Sequence, residues 1–442
     1  MIKLPEQVNK AICLLKNSGF EAYAVGGAVR DCLLGKVPFD WDITTSARPE
    51  ETEKVFCGER IIETGIKHGT VTVIIDDMPL EITTYRIDGD YTDHRHPQTV
   101  SFSDNLRDDL SRRDFTINTL CCNCDDKIID AFGGKDDLKN KIIRCVGDPD
   151  TRFSEDALRI MRAVRFSAEL GFKIEKSTSD SILKNRQLLS DVSKERLQVE
   201  FTKLITGKYA TDVIRKYHAV IEVFIPELAP LAECEQHTKY HKYDVFEHTL
   251  HAVDAIDFND RILRLTMFFH DFGKPDAKTT DENGTSHFKG HAVISEKKTR
   301  DILKRLKFDN NTINEVSKLV LIHDMKSPRD KIQAKKMMCS LGDEAYLNLI
   351  KIKRADNMAK ADPHAIDENL KNMRSFYEEI KINNECYNLK SLAVNGDDIK
   401  AFGIAEGKEI KSSLDFLLNG VIEGKCQNRK DVLLEYLKEN TK

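Results

Sequence analysis

The sequence lacks any apolar run long enough to span a lipid bilayer, which argues against a protein built on membrane-spanning helices. Its first seven residues become charged almost at once and lack the pattern of a signal peptide. Hydrophobic residues make up 40% and charged residues 32% of the 442-residue chain, a balance typical of globular proteins. We therefore expect a cytoplasmic protein with no membrane partner and about two to four domains.

The chain also lacks a second cysteine pair at zinc-site spacing. Its eleven cysteines are scattered, and a single C-x-x-C motif runs from Cys121 to Cys124. Free, buried thiols in a reducing compartment are the simplest interpretation.

An overall excess of basic residues is missing too. The net charge is −5, which counts mildly against a nucleic-acid-binding protein. Residues 141–216 are an exception, because they hold sixteen Lys and Arg against eleven Asp and Glu. On charge alone, this stretch is as compatible with a solvated helix face as with a phosphate-binding stripe.

The pattern of apolar residues changes near residue 148. Three β-rich runs separated by Gly and Asp turns precede that point, at 22–25, 70–75 and 80–85. Beyond it, apolar residues such as Leu158, Met161 and Phe166 recur at helical spacing. The sequence predicts an N-terminal domain of strands and helices followed by an all-helical remainder, without internal repeats.

The strongest local signal is a pair of carboxylates, Asp40 and Asp42, downstream of Gly26-Gly27. Alternate side chains of a strand share a face, so the two carboxylates are predicted to point together. They can then hold two Mg²⁺ ions roughly 3.5–4 Å apart, with Glu81 as a candidate third ligand. The glycine turn lets backbone approach a phosphate, and the helix after it offers free N–H groups. An Asp-x-Asp pair without that turn is more often plain surface.

Five motifs in order carry a resemblance to a known family. They occupy 26–31 with 40–45, then 112–118, 130–134, 155–159, and 193–196 with Glu200. The series resembles the class II tRNA nucleotidyltransferase and bacterial poly(A) polymerase family. The resemblance implies a polymerase-beta-like head, a ribose-contacting second motif, a hinge at the third and a neck-bracing fifth. It also implies nucleotide-binding roles for a set of residues that comprises Gly27, Arg30, Arg113, Asp114, Asn118, Asp156, Arg159 and Arg162.

Asp156 and Arg159 stand three residues apart, so we expect them to share one helix face. A carboxylate and a guanidinium can pair with the polar edges of cytosine and adenine, whereas uracil and guanine present the wrong polarity. The residues alone favour an ordinary helix salt bridge. Within the motif series, the resemblance implies that the pair selects the base in place of a template.

Two further segments bear on which nucleotides are added. Residues 84–97 are polar and rich in turns, and resemble the loop that lets family members add the terminal A. Residues 393–404 and 428–431 resemble the RNA-binding tail that measures tRNA by shape and phosphate. An enzyme that adds only A, or a poly(A) polymerase, remains an alternative.

The helical half contains a second constellation of metal-ligand residues. His248, His270-Asp271 and Asp356 follow the order of the HD phosphohydrolase superfamily, with Lys274 in the place of a phosphate-binding lysine. Candidate ligands for a second metal ion are His291 and His323. Such groups can bind Mn²⁺, Ni²⁺, Co²⁺ or Mg²⁺. The alternative is a scaffold with ordinary core histidines.

These observations combine into one expectation. The fold class is α+β, with a nucleotidyltransferase head at 1–145, a helical neck at 146–225, an HD-type body at 226–370 and a tRNA-binding tail at 371–442. We expect a monomeric or homodimeric enzyme that adds C, C and A from CTP and ATP to the 3′ end of tRNA. An HD phosphohydrolase acting on RNA ends or nucleotides is the alternative from another class, and a non-catalytic tRNA-binding protein is a third.

Overall fold

The structure is a computed structural model that describes residues 2–63, 65–66, 69–89, 99–237, 242–360, 367–404 and 407–440. The chain divides into two compact units, Met1–Ala229 and Pro230–Lys442. The division into four domains stays a prediction. In the described ranges no helix is long and apolar enough to cross a membrane. All eleven cysteines are free, as predicted, although only five of them are buried.

The first part of unit one is a sheet with helices packed on it. In chain order its elements are α1 Glu6–Asn17, β1 Ala22–Val25, α2 Gly27–Leu33, β2 Asp42–Thr45, α3 Pro49–Val55, β3 Arg60–Ile62, β4 Thr70–Ile75, β5 Met78–Thr84, β6 Arg86–Asp88, β7 Val100–Phe102, α4 Leu106–Ser111, β8 Cys121–Cys122, β9 Ile128–Ile129, α5 Gly134–Asn140 and β10 Ile142–Ile143. The main sheet has the order β3-β4-β5-β2-β1-β8-β9. Its β2–β5 pair is parallel and its other pairs are antiparallel, so the sheet is mixed, as expected.

Side-chain periodicity explains these elements. Along β4 the residues Val71, Val73 and Ile75 are buried, and the residues between them are less so. That alternation is the signature of a strand with one face on the core. In α1 the buried residues Val8, Ala11, Ile12 and Leu15 form one stripe of a 3.6-residue repeat. The three β-rich runs of the sequence are thus confirmed as β1, β4 and β5.

The rest of unit one is helical, with one small exception. Its elements are α6 Pro149–Glu155, α7 Leu158–Leu170, β11 Lys173–Ile174, α8 Lys176–Asn185, α9 Lys194–Ile205 and α10 Ala210–Ile221. The expectation of an all-helical remainder is wrong at β11, which pairs in parallel with β10. A two-residue strand is too short to show a periodicity, so the sequence pattern could not reveal it.

The described part of unit two is helical apart from one short hairpin. Its elements, beginning with a helix that spans the unit boundary, are α11 Ala229–Ala232, α12 Val245–Asp254, α13 Arg261–Phe269, α14 Lys274–Ala277, β12 Thr279–Thr280, β13 Ser286–His287, α15 His291–Arg305, α16 Asn310–Ile322, α17 Lys331–Leu341, α18 Asp343–Met358, α19 Asp367–Ile382, α20 Gly396–Ala401, α21 Lys408–Ile422 and α22 Lys430–Asn440. β12 and β13 form an antiparallel hairpin, which is a second exception to the all-helical expectation.

Candidate functional site

The carboxylates of the first motif lie at one end of the central strands. Asp42 is the first residue of β2, and Asp40 precedes the strand instead of lying in it as expected. Asp42 stands directly opposite Glu81 on the parallel neighbour β5. On its other side it is level with Val25, the last residue of β1 before the glycine turn. In-register neighbours point to the same face, so the sheet brings Glu81 beside Asp42.

Electrostatics at this edge favour a bound cation. Partial burial raises the pKa of Asp42 to about 6, although its side chain still reaches solvent. The negative charges of Glu81 and Asp40 raise that pKa further, and Arg113 opposes them. A divalent cation here would relieve the repulsion and restore the ionised form. The three carboxylates do not, however, form a compact three-ligand group among the described residues.

Gly26 makes a close approach possible. Its φ of +82° lies in the region that L side chains rarely adopt. A Cβ built at Gly26 would lie 3.2 Å from Nη1 of Arg113 and 3.9 Å from Oδ2 of Asp42. Gly27 begins α2 immediately afterwards, so the strand–turn–helix predicted around the two glycines is confirmed.

Four of the predicted nucleotide-binding residues form one network, in which all but Arg162 are buried. Arg30 Nη1 donates to Asn118 Oδ1 at 2.8 Å, and Asn118 Nδ2 donates to Asp114 Oδ1 at 3.0 Å. Arg162 Nε donates to the other oxygen of Asp114 at 2.8 Å. Burial would raise the pKa of Asp114, but Arg162 and Asn118 outweigh it and lower that pKa to about 2. The network joins α2, the second motif and α7 around a fixed negative charge.

Asp109 is a functional candidate that sequence reasoning missed. Its side chain is fully buried and accepts hydrogen bonds from Thr44 Oγ1 at 3.0 Å and Arg112 Nε at 2.9 Å. Arg113 Nη2 also donates to it, at 3.4 Å. Burial would raise the pKa of Asp109, but Arg113 and Arg112 outweigh it. Asp109 therefore helps to orient Arg113, which lies just beyond the end of α4. Its spacing of four residues from Arg113 was the only sequence signal.

Asp156 and Arg159 do not share a helix face, so that expectation is wrong. Asp156 is extended, with φ −136° and ψ 100°, at the break between α6 and α7. Arg196 Nη2 donates to both of its carboxylate oxygens, at 2.9 and 3.1 Å. Arg159 Nη1 donates to Glu155 at 2.6 Å and Nη2 to the carbonyl of Arg112 at 2.8 Å. Separate partners thus hold the two side chains.

The basic stretch 141–216 uses several of its cations internally. Arg165 is buried and pairs with Glu200 at 2.8 Å, which ties α7 to α9. The guanidiniums of Arg162 and Arg165, together with that of Arg30 from α2, lie 3.9–5.4 Å from the ring centroid of Phe166. These arginines stiffen the helices, and the stretch is therefore not simply a solvated face.

A second cluster lies in unit two, where five elements converge on Asp271. His248 comes from α12, His270-Asp271 from the end of α13, His291 from α15, His323 from the end of α16 and Asp356 from α18. His248, His270 and Asp271 form one compact group of candidate metal ligands, and Asp271, His291 and His323 form another. The structure thus brings together every residue predicted for this site.

The histidines of this cluster all present the same ring nitrogen to it. Each Nδ1 lies 2.6–3.2 Å from a backbone carbonyl oxygen, in order of residue number those of Ala359, Met267, Phe288 and Val320. A carbonyl oxygen only accepts, so each Nδ1 carries a proton and each ring turns its Nε2 inward, where it offers a lone pair whenever the ring is neutral.

Those inward nitrogens face other acceptors. Nε2 of His291 lies 3.1 Å from Nε2 of His323, and Nε2 of His248 lies 3.0 Å from Oδ1 of Asp356. Nε2 of His270 and Oδ2 of Asp271 are buried 3.2 Å apart without a well-aligned hydrogen bond. Lone pairs at these distances repel unless a cation lies between them. The donor set therefore fits divalent metal ions, with Asp271 between two groups.

Charged groups around the cluster shift the pKa values of its members. Burial would raise the pKa of Asp271, but His270 and Lys274 outweigh it and hold that pKa well below its usual range. The Nζ of Lys274 lies 2.7 Å from Oδ2 of Asp271. Burial lowers the pKa of His323 to about 3, so that ring is neutral, the form that ligates metals. A cavity of about 310 Å³ opens on the cluster, lined in part by Lys274, Lys289 and Lys360. Three carboxylates, those of Asp271, Asp324 and Asp356, also line it, and Lys274 and Lys360 pair with two of them.

Full-length relatives identify the family. The chain is 32% identical over 443 residues to the CCA-adding enzyme of Lactobacillus helveticus, covering 99% of this chain and 98% of that protein. It is 34% identical to the CCA-adding enzyme of Geobacillus stearothermophilus, with 97% and 95% covered. The chain belongs to the CCA-adding enzyme family. Membership in this nucleotidyltransferase family implies a divalent metal ion.

Solved CCA-adding enzymes share the fold. The Bacillus stearothermophilus enzyme in complex with CTP is 30% identical, with a TM-score of 0.72 and 98% of this chain and 96% of that chain covered. The Thermotoga maritima enzyme complexed with tRNA is only 20% identical but matches with a TM-score of 0.63, covering 100% and 97%. The α+β fold class is therefore confirmed.

Three family models match separate segments of the chain. Residues 22–144 match the "Poly A polymerase head domain" and residues 171–231 the "Probable RNA and SrmB- binding site of polymerase A". Residues 279–437 match domain 2 of tRNA nucleotidyltransferases.

Proposed function

We propose that this protein is a template-independent tRNA nucleotidyltransferase that adds C, C and A from CTP and ATP and releases pyrophosphate. The observation that carries the proposal is the edge where Asp42, Glu81 and Gly26 meet, beside the Asp114 network, in a chain that matches CCA-adding enzymes over its full length. A tRNA, CTP and ATP are its partners, and the cytoplasm is its proposed location.

The residues at this edge have separate proposed roles in nucleotidyl transfer. Asp40 and Asp42, with Glu81 nearby, would hold Mg²⁺. When bound, the metal lowers the pKa of the primer hydroxyl and neutralises the triphosphate. Arg113, held by Asp109, supplies positive charge next to the carboxylates. Asp114 and Asn118 position the ribose, and Arg30 and Arg162 fix that pair from either side.

The direct test is incorporation of each nucleotide on tRNA primers that end before CCA, after C and after CC. A CCA-adding enzyme extends all three with the correct next nucleotide. Extension of the CC-ending primer alone would instead identify an enzyme that adds only A, and long A tails would identify a poly(A) polymerase.

Base selection is proposed to depend on Asp156 and Arg159, although they lie on different elements. Arg159→Ala is expected to reduce discrimination between C or A and the other bases by about tenfold or more, since a good bidentate contact is worth about 1–3 kcal/mol. The measurement compares incorporation of all four nucleotides on one primer. Arg215→Ala, which removes an equally charged, half-buried side chain on α10 that pairs with Asp212, is the control. Unchanged discrimination would leave Arg159 a purely structural role.

The loop at 87–95 is proposed to serve addition of the terminal A. Most of it, residues 90–95, lies outside the described residues, so this prediction rests on the family resemblance. Deleting residues 87–95 is expected to leave CC addition intact and abolish A addition. Product lengths on a gel distinguish CC from CCA ends, and a deletion variant that still completes CCA contradicts the prediction.

A second function is proposed for the cluster around Asp271, namely metal-dependent hydrolysis of phosphoesters. The supporting observation is the convergence of four inward Nε2 atoms and the carboxylate of Asp356 around Asp271, next to a cavity lined in part by three lysines. Mn²⁺, Ni²⁺, Co²⁺ or Mg²⁺ bound there supplies a hydroxide at neutral pH. Lys274 would neutralise the phosphate, and Gln236 fixes its ammonium with a 2.7 Å hydrogen bond.

A further inference from the structure

The loop that leads into the carboxylate edge exposes two large apolar side chains. Val37 is 95% exposed and Phe39 is completely exposed. Among the described residues, the next most exposed large apolar side chain is Ile382, at 78%. Isolated apolar residues on a surface need no explanation, but full exposure of a phenylalanine next to Asp40 is different. Burying a phenylalanine side chain stabilises a protein by about 1.5–3 kcal/mol, and the folded chain does not gain this stabilisation at Phe39.

The loop is short and anchored at both ends. Gly35, at φ +73°, ends α2, and the N–H of Lys36 donates to the carbonyl of Asp31 at 2.9 Å, a helix-ending arrangement. At the other end Trp41 is buried and the chain enters β2. Pro38 restricts the backbone between them. Phe39 is therefore held at a defined place, one residue and about 3.8 Å along the chain from Asp40.

Phe39 has no stacking partner, neither an aromatic ring nor a cation, among the residues that the structure describes. The phenyl ring has no polar atom, so it offers a flat π-face and nothing else. A ligand that stacks on this ring must itself be flat, and it would lie near Asp40, the next residue along the chain.

We propose that Phe39 is the stacking platform for the 3′-terminal base of the tRNA primer. This inference rests on the proposed function, because nucleotidyl transfer requires the primer's terminal hydroxyl to reach Asp40 and Asp42. A template-independent enzyme offers that terminal base no pairing partner, so another contact must hold it. The identity of the base also changes after each addition. Stacking suits both conditions, because every base has a π-face and aromatic stacking is tolerant of sequence.

The test is steady-state C addition to tRNA lacking CCA. Phe39→Ala and Phe39→Leu are expected to raise KM for tRNA by about tenfold or more, as loss of one stacked base predicts. KM for CTP should stay unchanged, and Phe39→Tyr and Phe39→Trp should behave as wild type. The Phe39→Leu variant separates stacking from plain apolar contact. Val37→Ala, on the same loop, is the matched control and should leave KM for tRNA unchanged.

A direct binding measurement complements the kinetics. The chain has a single, buried tryptophan, Trp41, so the Phe39→Trp variant adds one exposed reporter. Its fluorescence should be quenched by tRNA ending in an unpaired base and much less by tRNA shortened so that its end is paired.

Four results would overturn the inference. These are a wild-type KM for tRNA in Phe39→Leu, an increase confined to the KM for CTP, an equal effect of Val37→Ala, and a change in sedimentation without a change in KM. The last would show that Phe39 contacts a second copy of the chain. Failure of the wild-type protein to add C would instead contradict the proposed function itself, so the two failures are distinguishable.

Discussion

Asp42→Asn is expected to reduce the addition of both C and A by about 100-fold or more, the size of loss typical when a group that stabilises transition-state charge is removed. The same result is expected for Asp40→Asn, because both carboxylates are needed to hold the metal ions. The measurement is single-turnover incorporation on primers ending before CCA and after CC. A variant that retains a substantial fraction of wild-type activity contradicts the assignment of the two-metal site.

Loss of activity in Asp42→Asn is not expected to come from unfolding. The pKa of Asp42 is raised from its ordinary 3.8 to about 6, so the folded state holds the proton more tightly than the unfolded state. The protonated form therefore contributes to the stability of the wild type at low pH, and this contribution is lost as the pH rises from 3.8 to about 6. Without divalent metal near neutral pH, the Asn variant should therefore melt at or above the wild-type temperature.

The control for these variants is Asp76→Asn. Asp76 lies on the exposed turn between β4 and β5, with φ +47°, a conformation that asparagine tolerates well. The Asp76→Asn substitution removes the same charge from the same sheet, and the activity of this variant should remain at the wild-type level.

The second large effect is expected in unit two. His270→Ala should abolish metal-dependent hydrolysis of 2′,3′-cyclic or 2′-phosphate ends while leaving CCA addition largely intact. His270 is fully buried with an inward Nε2, whereas Asp40 and Asp42 belong to the other compact unit. Phosphate release from a cyclic nucleotide is measured with Mn²⁺, Ni²⁺, Co²⁺ and Mg²⁺ in turn.

Bound metal gives a readout that does not depend on turnover. Elemental analysis of the wild-type protein should find divalent metal, and His270→Ala should lose it from the group that includes His248. His323→Ala should affect only the group that shares Asp271 with His291. His287→Ala, an exposed histidine of the β12–β13 hairpin, is the control. Absence of both metal and phosphate release in the wild type would leave the cluster a structural role.

Short-range features of the site were predictable from the sequence. The strand before Gly26, the helix after Gly27 and the strand that follows Asp40 depend on local periodicity and on the backbone freedom of glycine, and all three are present. The residues of the HD-type cluster could also be predicted from their order in the sequence, because each of them lies in or next to a helix that the sequence pattern indicates.

The predictions from sequence were wrong or incomplete where a short break in a helix, or a partner far away in sequence, determines the position of a side chain. Asp156 follows a helical pattern in sequence, but the chain leaves the helix there and Arg196 holds the carboxylate from another helix. Asp109 was missed because its burial beneath Thr44 depends on packing between α4 and the sheet. Periodicity describes one element at a time, so it cannot predict a contact between two.

The sequence by itself therefore determined the α+β class, the family and the residues that carry the proposed chemistry, since motif spacing and local propensity are properties of the chain. Only the tertiary structure decided which groups meet. It set Glu81 beside Asp42 through parallel pairing, turned four Nε2 atoms toward Asp271 and left Phe39 exposed to solvent. Such contacts join residues far apart in sequence, and packing and sheet register fix them, which no local pattern encodes.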